Sequence, residues 1–74
     1  MTTQTIRSDI TGTVWKIVVQ EGDALQADDT IMVLESMKME IPVVAPESGR
    51  VLKILIAEGA PVREGQEVAV FEEA

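Results

Sequence analysis

Shifted by 37 residues, the chain aligns with itself without a gap from residue 12 to residue 35. Gly12-Thr13-Val14-Trp15-Lys16-Ile17 lies over Gly49-Arg50-Val51-Leu52-Lys53-Ile54, and Glu21-Gly22 lies over Glu58-Gly59. Val33-Leu34-Glu35 lies over Val70-Phe71-Glu72. There are 8 identities in 24 positions, and about half of the remaining pairs match apolar with apolar. Such a period marks a repeated unit that cannot bury its apolar face alone and must stack on its copy. The quasi-repeats span about 6–35 and 43–72, joined by residues 35–42, within a single domain of 74 residues.

Each repeat reads as short strands separated by turns. Residues 13–19 alternate, with Trp15, Ile17 and Val19 on one face; Leu52, Ile54 and Ile56 hold the equivalent face, and Lys16 and Lys53 the opposite one. A period of two marks a half-buried strand, and Trp15 therefore reads as core or edge packing. Glu21-Gly22-Asp23 and Glu58-Gly59-Ala60-Pro61 are turns in which glycine is free to take positive φ. Thr30–Leu34 and Glu67–Phe71 alternate again, and Pro42, Pro46 and Pro61 argue against long helices. The expectation is an all-β fold of about eight strands: a flattened barrel or sandwich of two four-stranded antiparallel sheets related by a pseudo-two-fold axis. The termini should meet, with the 35–42 link at the far end.

Composition supports a core and removes most chemistry. Hydrophobic residues make up 46% of the chain and aromatic residues only 3%, so the core is aliphatic. There is no histidine and no cysteine. Ser-His-Asp and Cys-His catalysis are therefore excluded, as are His- or Cys-ligated metal sites. No catalytic residue and no metal site is expected. Asp28-Asp29 lacks the further ligands a calcium loop needs. With 13 acidic and 6 basic residues the net charge is −7, which argues against nucleic acid and anionic membranes as partners. No signal-like segment and no apolar run of spanning length is evident, so a cytoplasmic, monomeric domain is expected.

The link reads Glu35-Ser36-Met37-Lys38-Met39-Glu40-Ile41-Pro42. Local propensity favours helix, but Pro42 and the strand equivalence of Ile31–Leu34 with Val68–Phe71 oppose it. A hairpin turn centred near Met37-Lys38 is expected instead. It lacks the Asn-Gly or Asp-Gly that short hairpins favour. A turn built against propensity, with two methionines beside a lysine, points to selection for contact rather than folding. Taken alone, Lys38 reads first as a solvated turn lysine, and Glu35 and Glu40 as a solvated strand end.

Glu35-Ser36-Met37-Lys38-Met39-Glu40 resembles the biotin-attachment motif of the biotinyl/lipoyl carrier domains. The resemblance extends from about Ile6 to Phe71 and includes the glycines and the internal symmetry. It implies the barrel-sandwich hybrid fold, with Lys38 as the covalent biotin acceptor. It implies that Met37 and Met39 are read by the modifying ligase, with Glu35, Ser36 and Glu40 as weaker flanking contributors. Related lipoyl domains usually carry Asp-Lys-Ala at this turn, so Met-Lys-Met is the biotin version.

The implied activity is that of a biotin carboxyl carrier with no catalysis of its own. A biotin protein ligase attaches the cofactor, a biotin carboxylase loads it, and a carboxyltransferase unloads it. Recombinant material can lack the biotin. A lipoyl carrier and an unmodified interaction module are the competing readings. Two departures bear on local turns. Asp9 stands where the family has proline, and Asp28 where it favours glycine, although Gly65 keeps that glycine in the second half. Asp28 is expected in left-handed geometry. The gapless repeat leaves no room for the thumb insertion of some bacterial carriers, and no Pro/Ala-rich linker is present. The expectation is a stand-alone carrier or the excised end of a longer carboxylase.

Overall fold

The computed structural model describes residues 2–74. Eight strands form: β1 (Thr3–Arg7), β2 (Gly12–Ile17), β3 (Ala24–Leu25), β4 (Thr30–Ser36), β5 (Met39–Val44), β6 (Gly49–Ile54), β7 (Pro61–Val62) and β8 (Glu67–Glu73). They build two four-stranded antiparallel sheets, ordered β1-β8-β6-β3 and β5-β4-β2-β7. The 37-residue shift carries β1 to β5, β2 to β6, β3 to β7 and β4 to β8. It therefore converts one sheet order into the other. Each sheet takes two strands from each half, so the halves interleave, and neither half forms a sheet by itself. The termini meet at the β1–β8 pairing, where Thr3 opposes Glu72.

The core repeats the same symmetry. Ile6 and Val43, Val14 and Val51, Ile31 and Val68, Met32 and Ala69, and Leu34 and Phe71 are equivalent pairs, all buried. The last two pairs set a large side chain against a smaller one. An aliphatic core can then fill without forcing both halves to be identical. Ser8 is the buried polar residue, and its hydroxyl is satisfied locally by the Ile10 carbonyl (2.6 Å) and the Ile10 N–H (3.2 Å).

The expected Trp15–Ile17–Val19 face needs correction. Val14 is fully buried, whereas Trp15 is 51% exposed. The register runs Val14 opposite Leu34 and then Lys16 opposite Val33, with a bulge between. An inserted residue reverses strand alternation, so Trp15 and Lys16 both project outward, while Ile17 and Val19 return to the core. The second half has the same bulge between Val51 and Lys53.

The bulges also explain the repeated Glu-Gly turns. Glu58 Oε2 accepts the Ile17 N–H (2.8 Å), and Glu21 Oε2 accepts the Ile54 N–H (2.9 Å). Gly22 N–H donates to the Val51 carbonyl and Gly59 N–H to the Val14 carbonyl, each at 2.7 Å. Each half thus satisfies backbone groups that the other half's bulge would leave unpaired. Gly22 and Gly59 take φ of 94° and 84°, as this turn demands. Asp28 adopts φ 73°, matching Gly65 at 85° and the left-handed geometry its spacing predicts.

Candidate functional site

Residues 35–40 lie together on the β4–β5 hairpin. Ser36 pairs with Met39, leaving Met37 and Lys38 as a two-residue turn. Their φ angles are 53° and 66°. Positive φ at both central residues is the type I′ pattern, whose twist suits adjoining strands. Asn-Gly adopts it with little strain; Met-Lys does so at a cost of about 1 kcal/mol or more per residue. The hairpin therefore forms because strand pairing on either side holds the turn, not because the turn residues favour it.

The hairpin's base is fastened in two places. The Ser36 hydroxyl donates to the Thr11 carbonyl at 3.0 Å. Gly12 lies so close under β4 that a Cβ there would collide with the Glu35 carbonyl oxygen and meet Ser36 Cβ at 3.2 Å. Thr11 and Gly12 were not among the expected site residues, although Gly12 begins the repeat and its partner Gly49 makes the same close approach to Glu72. Side-chain-free packing at both ends is the physical content of that glycine identity.

At the tip, Lys38 is exposed, Met37 is 92% exposed and Met39 64% exposed. Among the described residues the ion pairs are Arg7–Glu67 and Arg50–Glu72, so Lys38 Nζ is held by neither Glu35 nor Glu40. Glu35 and Glu40 oppose one another directly across the hairpin. An exposed primary amine on a fastened two-residue turn, flanked by two solvent-facing thioethers, can be acylated by another enzyme without any rearrangement of the core. Trp15 lies on the outer face of the same sheet. The Asp29 carboxylate accepts the Gln26 N–H at 2.9 Å, a turn-capping contact.

A symmetric eight-stranded sandwich presenting one lysine on a tight hairpin defines a cofactor-carrier domain. The biotin/lipoyl model described as "Biotin-requiring enzyme" matches residues 2–71, and the chain belongs to that family. It is a domain of biotin carboxyl carrier type. It is 41% identical over 66 residues to the biotinylated protein TB7.3 homolog of Mycobacterium leprae, covering 89% of this chain and 93% of that protein. It is 41% identical over 64 residues to the alpha subunit of mitochondrial methylcrotonoyl-CoA carboxylase of Mus musculus, covering 86% of this chain but 9% of that subunit. The crystal structure of the Kluyveromyces lactis urea carboxylase superimposes with a TM-score of 0.91 at 39% identity, over 97% of this chain and 6% of that one. The chain thus spans nearly all of one relative and a small fraction of the two carboxylases.

Proposed function

We propose that Lys38 carries biotin in amide linkage and that the domain shuttles a carboxyl group between two enzyme sites. The observation that carries this reading is the exposed, unpaired Lys38 amine on a turn with positive φ at both residues, beside exposed Met37 and Met39. The residues fit the group: a free primary amine is the nucleophile that amide formation requires. A biotin protein ligase activates the biotin carboxyl with ATP. Lys38 Nζ then attacks the carboxyl carbon, the activating group departs, and the amine loses a proton. Acylation removes the lysine charge. Biotin supplies the atom that holds the carboxyl group.

The chain's own residues position and present. Gly12 and Ser36 fix the hairpin base, Met37 and Met39 are read by the ligase, and Glu35, Ser36 and Glu40 contribute more weakly from the flanks. The domain performs no bond chemistry itself. Its partners are the ligase, a biotin carboxylase and a carboxyltransferase, and its setting is cytoplasmic, with the isolated domain monomeric. Tethering replaces diffusion of a free cofactor by a high local concentration at each site.

Intact mass of protein co-expressed with a biotin ligase tests the reading. A single biotinyl increment is expected, lost in Lys38→Arg together with streptavidin reactivity. A lipoyl increment in its place, or streptavidin reactivity persisting in Lys38→Arg, would overturn it.

A further inference from the structure

The pseudo-two-fold supplies an internal control, because the two sheets share one topology yet differ on their outer faces. On β1-β8-β6-β3, Arg7 pairs with Glu67 and Arg50 with Glu72, each at 3.2 Å. The equivalent positions on β5-β4-β2-β7 are Val44 with Thr30 and Thr13 with Glu35, and no ion pair forms there among the described residues. Trp15 replaces Leu52, Pro42 replaces Thr5, and Glu40 replaces Thr3. One face is closed by salt bridges. The other carries a largely apolar row, in which Lys16 pairs with Val33 and Val33 with Pro42, and Trp15 projects from the bulge next to Lys16. One row nearer the tip, Glu35 and Glu40 oppose each other without a cation.

The apolar row is continuous with the Lys38 turn. Val33 lies five residues from Lys38, about 17 Å along the strand at roughly 3.3 Å per residue. A stable protein interface covers about 800 Å² on each partner, whereas the chain exposes 4642 Å² in total. An interface of that size is about a sixth of the surface, far more than a two-residue turn, so an enzyme that forms one while engaging Lys38 extends along one flank of the hairpin. Of the two sheet faces, only the Trp15 face combines an exposed aromatic anchor with uncompensated charge.

We propose that the outer face of β5-β4-β2-β7, centred on Trp15, docks the biotin protein ligase while its active site holds Lys38. This rests on Lys38 being the acceptor. The complementary surface is an apolar socket for the indole, flanked by basic residues that meet Glu35 and Glu40. Tryptophan, with tyrosine and arginine, is enriched among the residues that carry most of an interface's binding energy. Opposed carboxylates that repel one another in the free chain gain most from a cationic partner.

The test uses a purified bacterial biotin protein ligase and the full chain, whose only tryptophan is Trp15. Carrier labelled with 5-fluorotryptophan should show a single ¹⁹F resonance that shifts on titration with ligase. Trp15→Gln should raise the KM for carrier by about tenfold or more with kcat within about twofold, and Trp15→Phe should recover most of that loss. Arg50→Thr, which opens the salt-bridged face, should leave KM unchanged. An unmoved ¹⁹F resonance on wild-type carrier, with efficient biotinylation and equal KM for Trp15→Gln, overturns the docking face and leaves Lys38 as acceptor intact. Failure of wild-type carrier to take up biotin at Lys38 overturns both. Concentration-dependent dimerisation of free carrier that Trp15→Gln abolishes assigns the face to a second copy and also overturns the proposal.

Discussion

Glu35 of β4 and Glu40 of β5 stand directly opposite each other at the base of the Met37-Lys38 turn, and neither takes part in an ion pair among the described residues. At the two-fold-equivalent position, Glu72 faces Thr3 and pairs with Arg50. Like charges directly opposite on antiparallel strands destabilise them. Glu40→Thr, which copies the arrangement at Thr3, should therefore stabilise the fold by about 0.2–1 kcal/mol. Thermal melts in low and high salt check this: the gain should shrink as salt screens the repulsion.

Met37 carries the second conflict between stability and use. Its φ of 53° suits asparagine better than methionine. Met37→Asn should raise stability by up to about 1 kcal/mol, a rise in Tm of roughly 4–8 °C. The same substitution should slow biotinylation, because it removes an exposed thioether beside Lys38. Replacing both Met37 and Met39 with polar residues should leave the melting transition cooperative. Loss of folding would place them in the core instead.

Gly12 should resist substitution despite having no functional group. A Cβ there collides with the Glu35 carbonyl, and backbone cannot step aside as a flexible side chain can. Gly12→Ala should destabilise by about 1–3 kcal/mol, as overpacking typically does. Hydrogen exchange should show the greatest loss of protection at the β2–β4 pairing beneath the hairpin.

In the turn between β5 and β6, partial desolvation, a hydrogen bond with Glu73 and repulsion from that carboxylate raise the pKa of Glu47. The folded chain thus holds this proton more tightly than the unfolded chain does. The stability linked to it is fully present below the ordinary carboxyl pKa and is lost as pH rises through the raised value. Glu47→Gln, which resembles the protonated form, should melt higher than wild type at neutral pH and converge with it in acid. Melting curves across that range check the sign, and a gap that widens in acid would contradict it.

The all-β architecture, the two-sheet symmetry and the hairpin between the halves are legible in the sequence, because a period of 37 residues and a strand period of two are local regularities. Asp28 is legible for the same reason, through its repeat partner Gly65. Trp15 was not. A bulge adds one residue opposite the partner strand, so alternation carried back from Ile17 and Val19 sets Trp15 inward, where Val14 in fact sits. The in-register identity of Val14 with Val51 was the available hint. Glu21 and Glu58 were legible as turn residues but not as acceptors for Ile54 and Ile17, since those partners lie 33 and 41 residues away.

By itself, then, the sequence determined a repeat that must pair with itself, a core that is aliphatic apart from Phe71, and one lysine with no repeat counterpart. Tertiary structure decided how the halves interleave, which residues the bulges turn outward, and which of two topologically equivalent faces remains unclosed. Those outcomes depend on contacts between residues far apart in the chain, where backbone groups of one half are satisfied by the other. No local pattern encodes such contacts.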